Sequence, residues 1–248
     1  MLRRRFVLAV TTIAIASAAR AEPRSLQAAD GVGVYADLAR ATRARRGTIL
    51  LFHQAGTNRG EYEPIAPRLN AVGFDTLAID QRSGGRAFGQ VNETVQHLGH
   101  EMGYTAALPD LEAALAWAQA DNPAGPVIVW GSSYSAALVF VLAARHAGGI
   151  QAVLSFSPGE YLSGITVRDE AAKTICPVFV TSASDPGEEA AAAAILNAVA
   201  NPVKRQFKAK TGLHGSSTLR PENRGGAEPI WQAVAGFLDA VAPPGKAG

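Results

Sequence analysis

The sequence predicts a doubly wound α/β domain, with a mostly parallel eight-stranded sheet and helices on both of its faces. Two observations carry this prediction. Short apolar runs rich in β-branched residues recur along the chain, and beyond residue 47 a stretch with helical periodicity follows each of them. These runs are almost continuously apolar, as in parallel strands that are buried on both faces. A chain of 248 residues, 48% of them hydrophobic and 18% charged, suits one such domain.

The sheet is expected to begin with an antiparallel hairpin and to continue as a parallel series. Asp30 and Gly31 form a turn signal between strand-like segments at 25–30 and 33–41. Further strands are expected at 48–53, 74–80, 126–131, 152–157, 177–182 and 203–210. Helices are expected at 62–71, 108–120, 135–146 and 167–174, across the alanine-rich stretch 188–194, and at 229–241.

The first twenty-one residues have the pattern of an export signal. Three arginines at 3–5 precede an uncharged run at 6–19, and Ala19-Arg20-Ala21 fits a cleavage site. An ordinary secretory signal and a twin-arginine signal fit this pattern equally well. Both kinds of signal predict bacterial-type export, which places the mature domain, residues 22–248, in the periplasm or outside the cell.

Composition and charge argue against several classes of function. The single Cys176 cannot form an intramolecular disulfide, and the chain has neither a CxxC pair nor an HExxH helix, so no metal or cofactor is expected. Residues 1–21 hold four arginines and no acid, so cleavage changes the formal net charge from +2 to −2. The mature domain therefore gives no electrostatic reason to expect nucleic acid as a partner. Its apolar runs are also too short for a membrane span.

A candidate nucleophile stands where the strand at 126–131 turns into a helix. The segment Gly131-Ser132-Ser133-Tyr134-Ser135 has the layout of a nucleophile elbow, in which a sharp turn holds the serine and brings strand and helix almost into contact. Only small residues fit two positions before and after the nucleophile. Gly131 and Ser135 meet this demand around Ser133, whereas an elbow centred on Ser132 would place aromatic residues there. The competing interpretation is a serine-rich helix cap.

A serine nucleophile needs a base, and the base needs a carboxylate to orient it. Later strand ends supply both residue types, because Asp185 follows the strand at 177–182 and His214 follows the strand at 203–210. The carboxyl ends of parallel strands meet at one edge of the sheet, so these side chains are expected near Ser133. Two alternatives stay open: Asp185 could instead cap a helix that starts at Pro186, and Glu160 could supply the carboxylate.

Together these features resemble the α/β-hydrolase superfamily, and most of all its small dienelactone-hydrolase-like serine hydrolases. The resemblance rests on the elbow, on His53-Gln54-Ala55-Gly56, on the loop 80–85, and on Asp185 and His214. It implies the triad order Ser133, Asp185, His214, and it favours Asp185 over Glu160 because the family ordinarily takes its acid from that strand. One departure is that dienelactone hydrolases themselves use cysteine where this chain has Ser133, which favours ordinary esters over lactones.

The resemblance also implies an oxyanion hole, formed by the backbone N–H of Tyr134 and that of Gln54 or Ala55. His53 is then expected to hold its loop by a hydrogen bond. The expected activity is hydrolysis of small or polymeric carboxylic esters through an acyl-enzyme. An amidase or peptidase with the same triad and a non-catalytic binding protein stay open as alternatives. No large lid is expected, and the polar loop at 81–105 indicates a polar or acidic acyl group.

Overall fold

The structure of the protein is a computed structural model that describes residues 21–244. The predicted signal peptide falls almost wholly on residues 1–20 and so lies outside the described residues. The first strand begins at Glu22, immediately after the predicted cleavage site. Among the described residues, no helix has both the length and the apolar character needed to cross a membrane.

Eight strands form a single sheet, as predicted. Their order across the sheet is β1-β2-β4-β3-β5-β6-β7-β8, with β1, β2 and β4 paired antiparallel and the remaining neighbours parallel. The strands are β1 Glu22–Gln27, β2 Gly33–Ala39, β3 Gly47–Phe52, β4 Phe74–Ile79, β5 Val127–Ser132, β6 Ala152–Phe156, β7 Val178–Thr181 and β8 Lys204–Phe207.

Helices cover both faces of the sheet. They are α1 Ala66–Ala71, α2 Glu93–Leu98, α3 Leu108–Asp121, α4 Tyr134–Arg145, α5 Val167–Ala172, α6 Pro186–Ala198 and α7 Ala227–Val241. One apolar core lies between the sheet and α3 to α6, and the other lies between the sheet and α1 and α7. Alternate residues of β3 enter opposite cores, with Leu50 in the first and Leu51 in the second. Burial on both faces explains why the central strands are largely apolar.

The structure differs from the predicted elements in three places before α3. The first strand is Glu22–Gln27, three residues earlier than the predicted 25–30. The helix expected at 62–71 is divided into a 3₁₀ helix, Arg59–Tyr62, and the short α1, with Pro64 between them. The expected loop at 81–105 contains α2, which was not predicted. Asn92 caps this helix by accepting a hydrogen bond from the Val95 N–H, and Gly99 ends it in the left-handed conformation.

The register of the central strands brings their carboxyl ends together. Phe52, the last residue of β3, lies beside Ile79 of β4 on one side and Gly131 of β5 on the other. Ser132 of β5 lies beside Phe156 of β6. Between β6 and β7 the chain forms only the short α5, so no large lid domain covers this edge, as predicted. The loops that leave β3, β4, β5 and β6 therefore start from neighbouring points.

Candidate active site

Ser133 lies at a strained turn between β5 and α4. Its backbone has φ 58° and ψ −119°, a left-handed conformation that a residue with a side chain rarely adopts. Gly131 makes the turn possible, because a Cβ at this position would lie 2.2 Å from the Ser135 carbonyl oxygen. The steric demand for a small residue before Ser133 is therefore confirmed. Ser133 itself is half-buried, whereas both of its neighbours are buried.

The presence of serine rather than glycine at 135 has a structural reason. The Ser135 hydroxyl donates to the His53 carbonyl oxygen at 2.6 Å and accepts from Gln81 Nε2 at 2.6 Å. The side chain is fully buried, so the strand-to-helix turn leaves room for a hydroxymethyl group. Ser135 thus ties the start of α4 to the loops that follow β3 and β4.

His214 is within hydrogen-bond distance of the candidate nucleophile. Its Nε2 lies 2.8 Å from Ser133 Oγ, and its Nδ1 lies 2.9 Å from Glu188 Oε1. With the proton on Nδ1, the imidazole donates to Glu188 and accepts from the serine hydroxyl. The His214 side chain is 41% exposed, so the site is open to solvent. The predicted pairing of Ser133 with His214 is therefore present in the structure.

The carboxylate hydrogen-bonded to His214 in the structure is Glu188, in place of the predicted Asp185. Asp185 is the N-cap of α6, and its Oδ1 accepts from the N–H groups of Gly187 at 2.9 Å and Glu188 at 3.0 Å. The side chain that satisfies the helix N-terminus is thereby committed to it. Glu188, three residues further on, projects toward His214, and its second oxygen accepts from the Ala183 N–H at 3.3 Å.

The alternative acid Glu160 is also committed elsewhere. Its two oxygens accept from the backbone N–H groups of Val167 at 2.5 Å and Arg168 at 3.2 Å, at the start of α5. The Arg168 side chain adds an ion pair with Glu160 at 3.0 Å. Within the described part of the chain, His214 has no hydrogen bond to Glu160 or Asp185.

Of the predicted oxyanion groups, the structure leaves two N–H groups available. The Gln54 N–H donates to Glu61 Oε2 at 2.9 Å, so it cannot also point at a substrate oxygen. The Ala55 N–H has no hydrogen-bond acceptor within residues 21–244. Tyr134 is the first residue of α4, where the N–H has no acceptor inside the helix and the helix dipole is positive. Ala55 and Tyr134 thus fit the role, and Gln54 does not.

The expectation that His53 has a structural role is confirmed. His53 is fully buried, its Nδ1 bonds the Gln54 carbonyl oxygen at 2.8 Å, and its Nε2 accepts from the Gln81 N–H at 3.1 Å. Burial lowers the pKa of His53 to about 4, so the imidazole is neutral near pH 7. The ring fixes the loop that carries Ala55.

Two serines hold the loop of His214 in place. Ser157, which follows β6 with a positive φ of 57°, accepts from the Gly215 N–H at 2.9 Å. Ser132 accepts from the Ser216 N–H at 2.8 Å. Neither contact could be predicted from the sequence, because Ser157 and Ser132 meet the loop of His214 only in the folded protein.

One charged side chain of the loop at 81–105, that of Arg82, is not available to the site. Arg82 is buried and pairs with Asp110 at 2.7 Å and with Asp30, so its charge is neutralised inside the protein. The ring of Tyr104, at the end of this loop, instead stacks on Tyr134 with a centroid distance of 4.5 Å. Arg82 is therefore committed to structural ion pairs, and the acyl preference of the site stays a prediction.

The exposed surface near Ser133 includes apolar side chains. Tyr104, Tyr161 and Leu213 are all more than a third exposed. Leu213 precedes His214, and Tyr161 lies close enough to Glu188 for that carboxylate to add to the rise of the tyrosine pKa, which burial mainly causes. Among residues 21–244, no group of three or more His, Cys, Asp or Glu side chains is arranged to hold a metal ion.

Solved structures with the same fold include several hydrolases. A dienelactone hydrolase from Anabaena variabilis aligns with a TM-score of 0.72 and 19% identity, covering 91% of this chain and 99% of its own. An esterase from Pyrococcus furiosus aligns with a TM-score of 0.67 and 17% identity over 98% of both chains. A carboxyl esterase from Bacillus coagulans gives 0.69 and 13%, over 90% of this chain and 99% of its own.

These likenesses establish the fold. None of the curated proteins matches the chain in sequence. The family of hydrolases described as serine aminopeptidase, S33 (Hydrolase_4) matches residues 43–187. Because this match spans more than half of the sequence and includes β3 to β7 with the elbow, the chain belongs to that family and to the α/β-hydrolase superfamily.

Proposed function

We propose that the protein is a serine hydrolase that cleaves carboxylic esters with Ser133 as nucleophile, His214 as base and Glu188 as the orienting acid. The observation that carries the proposal is the continuous chain of hydrogen bonds from Ser133 Oγ through His214 to Glu188, 2.8 Å and 2.9 Å long. These hydrogen bonds start at Ser133, which lies in the strained turn of an elbow. Such strain is typical of functional sites.

In the proposed mechanism, His214 Nε2 takes the proton of Ser133 as Oγ attacks the acyl carbon. The N–H groups of Tyr134 and Ala55 stabilise the oxyanion. His214 then gives its proton to the leaving alcohol, and a water molecule activated by the same imidazole releases the acid from the acyl-enzyme. Glu188 keeps the proton on Nδ1 and stabilises the imidazolium. All of these steps use only protein groups and water.

The proposed substrates are small-molecule or polymeric esters with an apolar acyl or alcohol group. The exposed side chains of Tyr104, Tyr161 and Leu213 support this class, because they offer apolar surface beside an open site. Arg82 of the 81–105 loop gives no support to an anionic substrate, since it is already paired.

A fluorophosphonate probe tests the proposed nucleophile, because only an activated serine reacts with it rapidly. We expect the wild-type protein to be labelled and to hydrolyse p-nitrophenyl acetate. Ser133→Ala should abolish both, while the far-ultraviolet circular dichroism stays unchanged. Ser163→Ala, which alters an exposed serine of the β6–β7 segment, is the matched control and should retain full activity. Labelling of Ser133→Ala at the wild-type rate would refute the proposal.

A second candidate activity is hydrolysis of amides or peptides. The family to which the chain belongs, described as serine aminopeptidase, favours it. The same triad serves if His214 protonates an amine as it leaves. Matched ester and anilide substrates with one acyl group distinguish the two activities. We expect kcat/KM to be much higher for the ester, and the opposite preference would assign the protein as an amidase.

We propose that the protein is exported, with residues 1–21 as its signal peptide. Cleavage after Ala21 would leave β1 intact, since this strand begins at Glu22. Expression of the full chain in a bacterial host followed by mass spectrometry of the periplasmic fraction tests this. A mature form beginning at Glu22 is expected, and an uncleaved cytoplasmic product would contradict export.

A further inference from the structure

A buried carboxylate lies behind the candidate active site and takes no part in the triad. Glu61 belongs to the 3₁₀ helix after β3 and is fully buried. Its Oε2 accepts from the Gln54 N–H at 2.9 Å, and its Oε1 accepts from the Ser132 hydroxyl at 2.7 Å. Ser132 Oγ in turn accepts from the Ser216 N–H at 2.8 Å. Burial of a carboxylate costs free energy unless its oxygens accept hydrogen bonds.

These three hydrogen bonds connect the three loops that carry the proposed chemistry. Gln54 directly precedes Ala55, Ser132 directly precedes Ser133, and Ser216 is two residues after His214. By accepting from the Gln54 N–H, Glu61 holds the peptide between His53 and Gln54, next to the one that carries the Ala55 N–H. The Ala55 N–H has no protein acceptor within the described residues.

We infer that Glu61 is a positioning residue, whose ionised carboxylate holds the oxyanion loop, the nucleophile and the histidine loop in their reactive arrangement. This inference rests on the proposed function. Glu61 acts through backbone groups and Ser132, and it touches none of the groups of the triad.

The hydrogen bonds around Glu61 match its ionised form. Ser132 Oγ accepts from Ser216, and its own hydrogen is available to Glu61, so the Ser132 hydroxyl and the Gln54 N–H are both donors to the carboxylate. A carboxylate supplies two acceptors, whereas a protonated carboxyl turns one of them into a donor. Protonation of Glu61 therefore breaks one arm of the network and releases either the oxyanion loop or the elbow.

The surroundings of Glu61 place its titration near neutral pH. Burial raises the pKa of Glu61 to about 7, against hydrogen bonds from Gln54, Ser132 and the Ser216 backbone and the charge of Arg220, which lower it. Arg220 donates to the carbonyl oxygens of Gly60 and Glu61. The other titratable group beside Glu61 is the Tyr62 hydroxyl, which donates to the Phe52 carbonyl oxygen at 2.6 Å.

Glu61→Gln tests the inference, because it keeps the shape of the side chain but removes the charge and one acceptor. Glu63→Gln is the matched control, since this glutamate is exposed and only two residues away. At about pH 8 we expect Glu61→Gln to lower kcat on p-nitrophenyl acetate by about 10-fold or more, as small displacements of reacting groups do. KM should change little, because Glu61 does not contact the substrate, and Glu63→Gln should match the wild type.

The pH dependence separates this role from a merely structural one. We expect the ratio of wild-type to Glu61→Gln kcat/KM to fall toward one between about pH 8 and about pH 5, as the wild-type carboxyl becomes protonated. The ratio removes the contribution of His214, which both proteins contain. A ratio that stays constant with pH, or a Glu61→Gln enzyme as active as the wild type at pH 8, would overturn the inference.

Two further measurements keep the outcomes distinct. If Glu61→Gln does not fold, as judged by circular dichroism, Ser132→Ala serves in its place, because it breaks one arm of the network. The ratio of wild-type to Ser132→Ala kcat/KM should then fall toward one over the same pH range. The rate of fluorophosphonate labelling of the wild type tests the proposed function separately. A wild type that is neither labelled nor active refutes the function and the role of Glu61 together. A labelled wild type with a constant ratio refutes only the role of Glu61.

Discussion

At the scale of single residues, Asp185 and Glu188 separate two tasks that a carboxylate can perform at the start of one helix. Asp185 satisfies the first N–H groups of α6, and Glu188 is hydrogen-bonded to His214 and is the proposed orienting acid. Glu188→Gln should therefore lower kcat/KM by about 10³-fold, because the amide no longer stabilises the imidazolium or enforces its tautomer. The unfolding free energy should change little, and steady-state kinetics with urea denaturation checks both.

Asp185→Ala is the matched comparison and should show the reverse behaviour. Loss of the cap should lower the free energy of unfolding by about 1 kcal/mol, whereas kcat/KM should stay close to the wild-type value. Large loss of activity in Asp185→Ala together with an active Glu188→Gln would return the role of the acid to Asp185.

The residues of the candidate site could be predicted from the sequence where a local pattern marks them, and not where distant contacts define them. Ser133 could be predicted because the small residues required around it are its chain neighbours, and His214 because it follows a strand. Glu188 and Asp185 lie on the same first turn of α6, so strand order alone cannot choose between them. The choice depends on which side chain satisfies the helix N-terminus. Glu61 could not be predicted at all, because its partners come from three separate loops.

At the scale of secondary structure elements, the packing of β5 against α4 makes a prediction about glycine. In Gly131→Ala the new Cβ would overlap the backbone of Ser135, which belongs to α4 and cannot move alone. We expect a loss of about 3 kcal/mol in the free energy of unfolding. We also expect a loss of about 10²-fold in kcat/KM, because Ser133 is displaced.

Gly236→Ala is the control at this scale. Gly236 is inside α7, and a Cβ there meets no heavy atom within 4 Å. Replacement of a helical glycine by alanine should raise the free energy of unfolding by about 0.5 to 1 kcal/mol. Equal destabilisation by both substitutions would show that the close approach at the elbow is not the cause.

Elements with strong periodicity were predictable, and the elements stabilised by caps and long-range contacts were not. The central strands β3, β5, β6 and β7 have clear counterparts in the apolar runs, because both of their faces are buried. The six-residue α2 has no such signature. It depends on the Asn92 cap and on contacts with distant groups, such as the hydrogen bond from the Asn92 side chain to the Gln81 carbonyl oxygen at 2.8 Å.

At the scale of the whole molecule, two buried titratable groups affect stability in opposite directions. The pKa of Glu61 rises from 4.5 to about 7 on folding. Its contribution to the free energy of unfolding is therefore fully present below pH 4.5 and is lost as the pH rises through 7. The pKa of His53 falls from 6.5 to about 4, so its contribution is present above pH 6.5 and is lost as the pH falls through 4. Each amounts to about 3 kcal/mol.

Between these limits the two contributions largely cancel, so the pair gives the wild type little net slope from about pH 4.5 to 6.5. Glu61→Gln removes one side of this balance. Relative to the wild type, the variant should gain about 3 kcal/mol in unfolding free energy when the pH is raised from 4.5 to above 7, since only the wild type must then bury a charge. Urea denaturation of both proteins across this range measures the difference, with Glu63→Gln as control. A difference that does not change with pH would mean that Glu61 titrates alike in the folded and unfolded chains. Its burial would then carry no electrostatic cost that the network of Gln54 and Ser132 has to offset.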